Sequence, residues 1–290
     1  MNRSVALVSL VAGIVGLGGT PGWTAPAKHP AICGPVKKAA TRFSITCAAP
    51  DNSRLSVVLS GPIATDADTG GTVFDRLVVY RGGAKLQEIA AKGEFSAGDD
   101  RLAEFVDVNF DGADDLKVMT STSAGPNVGF DYWLFNPRTG KFEHSDIGDK
   151  LSGFDITPDP KTKTIAASGR ASCCDWETVT YKWVGDALRI TSIVNDGSFS
   201  LADTPPLVDA NPQVCGTETK HYDDAERLTG VDYALRPKDA SCADDSGAAP
   251  TLPDLLALFR QKQKGYTIAV KDQNDFTIRY DPPLPGHTSL

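Results

Sequence analysis

The chain has no apolar run long enough to cross a bilayer. Val5 to Leu17 comes nearest and falls short of the ~18 residues a spanning helix needs, so no membrane span is expected. Histidine is scarce. His29, His144, His221 and His287 are scattered, without acid or thiol neighbours at motif spacing, and each reads as a surface residue. No Gly-x-Ser-x-Gly elbow and no His-Glu-x-x-His occurs, which removes two common hydrolase designs. A hydrolase built on paired carboxylates stays open, because such pairs have no local spacing. Positive charge is also in deficit. Lys and Arg number 29 against 37 Asp and Glu, a net charge of -8, which argues against a nucleic-acid partner. The same field favours solubility and steers a basic partner towards the chain.

Arg3 gives a short positive start, Val5 to Leu17 an apolar centre, and Ala25-Pro26-Ala27 a small-residue cleavage site. Residues 1–27 therefore read as a secretory signal, and the mature chain as periplasmic or secreted. No cysteine stands just after the apolar segment, where a lipid anchor would need one. The six cysteines, Cys33, Cys47, Cys173, Cys174, Cys215 and Cys242, show neither zinc nor redox spacing. An even count in an exported chain points to disulfides, of which six cysteines allow 15 connectivities. Cys33–Cys47 and Cys215–Cys242 are the local pairs expected. The adjacent Cys173 and Cys174 leave remote partners open.

Short alternating runs dominate residues 28–195. Arg42 to Cys47 and Arg54 to Ser60 read as strands. Gly82-Gly83 tolerates the φ > 0 turn of a tight hairpin between Arg76–Arg81 and Ala84–Ile89. Tyr132 to Phe135 reads as a buried strand and Asn136 to Gly140 as a turn, with Lys141 to Glu143 returning. Lys163 to Ser168, Thr178 to Val184 and Leu188 to Val194 follow as strands. In the second of these, Val179, Tyr181 and Trp183 alternate against Thr178, Thr180 and Lys182, which makes one apolar face. Tyr132 and Trp133 could form a sugar platform, but an apolar run favours core packing. Trp176, beside Asp175, is placed at an edge.

Residues 196–250 are rich in Pro, Asp and Ala and carry Cys215 and Cys242. They read as a disulfide-tied extension rather than more of the sheet. In residues 251–290, Thr251 caps a helix whose Leu252, Leu255, Leu256 and Phe259 share one face, and Gly265 ends it. Tyr266–Val270 and Phe276–Tyr280 form a last hairpin. The expected fold class is mainly β: a compact β-sandwich or propeller-like body with a small α+β C-terminal extension.

One stretch, Phe105 to Val118, concentrates oxygen donors. Asp107, Asn109, Asp111 and Asp115 fall at loop positions 1, 3, 5 and 9, Gly112 at position 6, and the Ala113 carbonyl at position 7. Asp114 adds a fourth carboxylate. Calcium is a hard cation that takes six to eight oxygens at roughly 2.3–2.6 Å, and alternate residues of a tight loop point theirs inward. Position 12 is Val118, not the bidentate Glu of an EF-hand, and the flanks read as strands. The pattern is a calcium loop closing two strands, or else a solvated acidic Asp-Gly turn. Such a calcium ion would serve stability rather than catalysis.

The segment Val106 to Leu116 resembles the calcium loop of integrin-type FG-GAP repeats. The succession of that loop, Tyr132 to Phe142, Glu177 to Trp183 and Leu188 to Ile190 resembles a family of bacterial periplasmic proteins. That family includes immunity proteins against peptidoglycan-cleaving effectors of bacteria-killing type IV secretion systems, and it is similar in fold to periplasmic lysozyme inhibitors. The resemblance runs from Thr72 to Val194 and omits Asn195 onward and the Cys173-Cys174 pair. It implies Ca²⁺ on Asp107, Asn109, Asp111 and Asp115, and a protein partner that is a cell-wall hydrolase. No inhibitory residues carry over. A non-enzymatic inhibitor of a basic cell-wall hydrolase is the first expectation. A calcium-stabilised glycan- or protein-binding adhesion module is the second, and the carboxylate hydrolase the third.

Overall fold

Alternation of side chains decides the first sheet. In the computed structural model, which describes residues 31–50, 54–63, 72–95, 101–122, 127–144, 146–170, 175–200, 213–236, 253, 265–272 and 275–284, every strand pairing is antiparallel. The first strands are β1 (Ile32–Cys33), β2 (Lys37–Ala39), β3 (Arg42–Ala48), β4 (Leu55–Pro62), β5 (Thr72–Phe74), β6 (Arg76–Arg81), β7 (Ala84–Ile89) and β8 (Gly93–Phe95). Phe43, Ile45 and Cys47 of β3, and Leu55, Val57 and Leu59 of β4, point inward at every second position. They form a six-stranded sheet in the order β1-β3-β4-β6-β7, with β2 also on β3, while β5 and β8 make a separate pair. The β6–β7 hairpin closes through Gly82 and Gly83, both at positive φ (59° and 82°), as expected of that dipeptide. Cys33 and Cys47, opposite each other on β1 and β3, are joined by a disulfide. Bonds of that kind persist outside the cytoplasm.

A four-stranded sheet follows, made of β9 (Ala103–Val106), β10 (Asp115–Thr122), β11 (Val128–Asn136) and β12 (Lys141–Glu143), in the order β12-β11-β10-β9. Tyr132 and Trp133 of β11 are buried, so the apolar run packs in the core and offers no sugar platform. One short helix, α1 (Asp146–Leu151), then precedes β13 (Asp155–Asp159), β14 (Thr164–Arg170), β15 (Trp176–Val184) and β16 (Ala187–Ser200). Val179 and Tyr181 are buried while Lys182 is exposed, which is the one-sided pattern the alternation predicts.

The chain departs from expectation after Asn195. Strands β17 (Gln213–Tyr222) and β18 (Leu228–Leu235) lie inside the stretch expected to stand apart from the sheet. With β19 (Tyr266–Val270) and β20 (Asp275–Leu284) they extend one eight-stranded sheet, β13-β14-β15-β16-β17-β18-β20-β19. The average composition of residues 196–250 conceals two runs that bury Val214, Val231 and Tyr233. The expected final hairpin is β19–β20, at the edge of this sheet.

The core reflects that extension. One apolar cluster joins Ala31 through Leu188, and a second gathers Val214, Leu228, Val231, Tyr233, Phe276, Ile278 and Tyr280 on β17, β18 and β20. Glu218, buried on β17, accepts hydrogen bonds from the Tyr233 hydroxyl (3.2 Å) and Asn195 Nδ2 (3.0 Å) and pairs with Lys220 (3.2 Å). Cys215 is disulfide-bonded. Cys173, Cys174 and Cys242 lie outside the described residues, as do the signal segment 1–27, His29, His287 and the expected helix residues Thr251, Leu252, Leu255, Leu256 and Phe259. Among the described residues no helix is long and apolar enough to cross a membrane.

Candidate metal-binding loop

Strands β9 and β10 pair with Val106 opposite Asp115, so residues 107–114 form the loop between them. Two residues in it take the left-handed conformation. Gly112 (φ 87°) does so without steric cost. Phe110 (φ 59°) is a bulky residue there, and its side chain packs against the main core. The sharp turn is therefore held from below by an aromatic anchor.

The loop's acids fold around its amides. Asp107 accepts the backbone N–H of Asp111 on Oδ1 (3.2 Å) and of Gly112 on Oδ2 (2.9 Å). Asn109 Oδ1 accepts the Asp111 N–H (3.0 Å), and Asp111 Oδ1 accepts the Ala113 N–H (2.8 Å). Asn109 Nδ2 donates to Asp111 Oδ2 (3.1 Å). Asp115 sits beneath, at 0% exposure. Its two oxygens accept the N–H groups of Val108 (2.9 Å) and Phe135 (2.7 Å), so it ties the loop to β11. The Trp183 indole N–H, on β15, donates to the Val108 carbonyl at 3.0 Å.

The electrostatics are one-sided. Burial pushes the Asp115 pKa up to about 7; the Phe135 and Val108 amides oppose this, and the charges of Asp107 and Asp111 add to it. Burial also raises Asp107, the Gly112 amide opposing and the Asp111 charge adding. The side-chain charges that push these two groups are those of neighbouring carboxylates. The donor set, three carboxylates and one amide oxygen, has the hard-oxygen chemistry of a calcium site. The side chains are spent on the loop's own amides, and among the described residues no three Asp, Glu, His or Cys side chains converge as a preformed metal cluster. A carboxylate oxygen keeps a second lone pair after accepting one amide, so Asp107, Asn109, Asp111, Asp115 and the Ala113 carbonyl retain oxygens for an ion.

Other groups came together that sequence spacing did not reveal. Lys117, two residues beyond Asp115, is 1% exposed and pairs with Glu104 (3.0 Å) and Asp155 (2.7 Å). Arg101 holds the same two carboxylates at 3.2 and 2.7 Å. Lys117 Nζ also lies 4.0 Å from the Phe130 ring centroid. Both described histidines find acids: His221 Nε2 is 2.7 Å from Asp232, and His144 Nδ1 is 3.3 Å from Asp149. Local spacing carried no signal for these pairs, which meet across strands or a helix.

These features define a mainly β protein of several antiparallel sheets with an oxygen-rich hairpin loop. No family model matches the chain, and no curated protein matches it. Among solved structures it is similar to one described as "Structure of a Xanthomonas Type IV Secretion System related protein", at 12% identity and a TM-score of 0.45, over 67% of this chain and 96% of that one. A likeness of that depth carries no conclusion about activity.

Proposed function

We propose that this is a non-enzymatic, exported protein, periplasmic in its working location, that holds one calcium ion in the loop Asp107–Asp115 and binds and inhibits a peptidoglycan hydrolase. The observation that supports the reading is the loop: carboxylates at alternate positions, with Asp107 and Asp115 raised and no ion pair to either among the described residues. A divalent ion would relieve that repulsion and fix the loop as a rigid feature of the surface. The net charge of -8 favours a basic partner, since opposed fields raise association rates. Cell-wall hydrolase as the partner follows from the order of sequence blocks, not from any residue of the loop.

The test is lysis of purified cell wall by a panel of basic lysozyme-like enzymes, including effectors of bacterial killing systems, with the protein in excess and calcium present. Slowed lysis by at least one enzyme, relieved by EDTA or by Asp111→Ala, is the expected result. Unchanged lysis across the panel overturns the inhibitor reading, and turnover of cell wall by the protein alone overturns the non-enzymatic one. A glycan- or protein-binding adhesion module is the second reading, favoured by the exposed indole of Trp176.

A further inference from the structure

A cleft of about 460 Å³ opens where the ends of β14, β15 and β16 meet the segments before β11 and β13. Its size is that of a small-ligand site. Trp176, the first residue of β15, lies between Arg170 on β14 and Asp196 on β16. At the strand end the core does not cover it, and the residue is 45% exposed. The Arg170 guanidinium sits 5.3 Å from the indole centroid. Its backbone is clamped on both sides by Asn127, which donates to the Arg170 carbonyl (2.7 Å) and accepts its N–H (2.8 Å). The Arg170 Nε–H is buried and has no acceptor among the described residues. Glu177 lines the same cleft, half-buried, and its carboxylate has no hydrogen-bond or ion-pair partner among the described residues.

A buried donor without an acceptor, and a carboxylate without a donor lining the same cleft, each cost free energy that a ligand could recover. The two together restrict the ligand. A cation brings no acceptor, leaves Arg170 Nε unanswered and places like charge beside a guanidinium. An anion brings acceptors only and meets Glu177, Asp175 and Asp196. A sugar brings hydroxyls that donate to Glu177, oxygens that accept from Arg170, and a C–H face that packs on an indole. We infer that this cleft is an oligosaccharide-binding site, with Trp176 as the platform and Arg170 and Glu177 as the polar contacts. It uses none of the residues of the 107–115 loop, so a failed lysis panel and a failed sugar titration are separate results.

The experiment is calorimetric titration of the full mature chain with an N-acetylglucosamine tetramer, a cellotetraose and a lysine hexamer, with indole fluorescence read in parallel. Saturable binding of at least one tetrasaccharide is expected. Trp176→Ala should weaken it tenfold or more and Trp176→Phe less, and Glu177→Gln should weaken it severalfold, with the melting temperature of each variant unchanged. Binding of the lysine hexamer alone overturns the inference in favour of a cation site. No binding of either sugar at millimolar concentration, or sugar binding indifferent to Trp176→Ala and Glu177→Gln, also overturns it.

Discussion

Two residues apart on β10, Asp115 and Lys117 are equally buried and are neutralised in opposite ways. Lys117 meets two carboxylates and an aromatic face, and Arg101 closes the network. Burial pushes Asp155 up, but Lys117 and Arg101 outweigh it and hold the carboxyl below its usual range. Among the described residues Asp115 has neutral backbone amides as its direct partners, and the charges of Asp107 and Asp111 act on it. One site balances its charge within the chain. The other leaves negative charge to be answered by a proton or a cation. That difference, rather than the number of acids, is the ground for proposing the loop as an ion site.

The comparison breaks most visibly at Lys117. Lys117→Met leaves Glu104 and Asp155 with Arg101 but without their buried cation, and removing one partner of a buried pair costs about 3–5 kcal/mol. Urea denaturation should show that loss equally with calcium and with EDTA. A loss below about 1 kcal/mol would mean that Arg101 alone balances the two acids.

The two sites should also answer pH with opposite sign. Asp115 has a folded-state pKa of about 7, above its unfolded value near 3.8, so its protonated form favours folding. That contribution is complete below the unfolded value and is lost as pH rises towards and through 7, by up to ~4 kcal/mol at 1.36 kcal/mol per unit. Asp155 is depressed, so its contribution is present above its unfolded pKa and lost as pH falls through the folded one. In EDTA, stability should therefore decline from pH 4 to pH 7.5, and calcium should flatten the decline by holding Asp115 ionised. Identical pH profiles with and without calcium would remove the ion from the account.

Calcium itself should add about 2.7 kcal/mol at a hundredfold excess over its dissociation constant. For a chain of this size that raises Tm by roughly 4–5 °C. Asp107→Ala and Asp111→Ala should abolish the increment, while Lys117→Met should keep it despite its larger loss of stability. An Asp111→Ala protein still stabilised by calcium would place the ion elsewhere.

What could be read from the sequence was local. The ligand spacing from Asp107 to Asp115 spans nine residues, the Gly82-Gly83 turn two, and the one-sided alternation from Thr178 to Trp183 six. Trp176 reads as an edge residue because Asp175 and the cysteine pair stand beside it. What could not be read depends on contacts between distant segments. Asp115 looked like one more ligand, since its tie to the Phe135 amide, 20 residues on, leaves no trace in spacing. Lys117 and Asp155, 38 residues apart, were invisible for the same reason. Strands β17 and β18 were hidden because Pro, Asp and Ala in the surrounding segment set its average, while the strands need only Val214, Leu228, Val231 and Tyr233 facing inward.

The smallest effect tests how the loop is braced. Trp183→Phe keeps a half-buried ring on β15 but removes the hydrogen bond to the Val108 carbonyl. A single such bond contributes about 0.5–1.5 kcal/mol, so stability in EDTA should fall by about 1 kcal/mol. Val108 would still be held through its N–H by Asp115, so the loop keeps one of its two anchors. Calcium affinity, measured by titration, should then fall less than tenfold, because a tenfold loss requires 1.4 kcal/mol spent wholly on the bound state. A larger fall would show that the indole, and not the buried carboxylate, sets the geometry in which Asp107, Asn109 and Asp111 turn their oxygens to the ion.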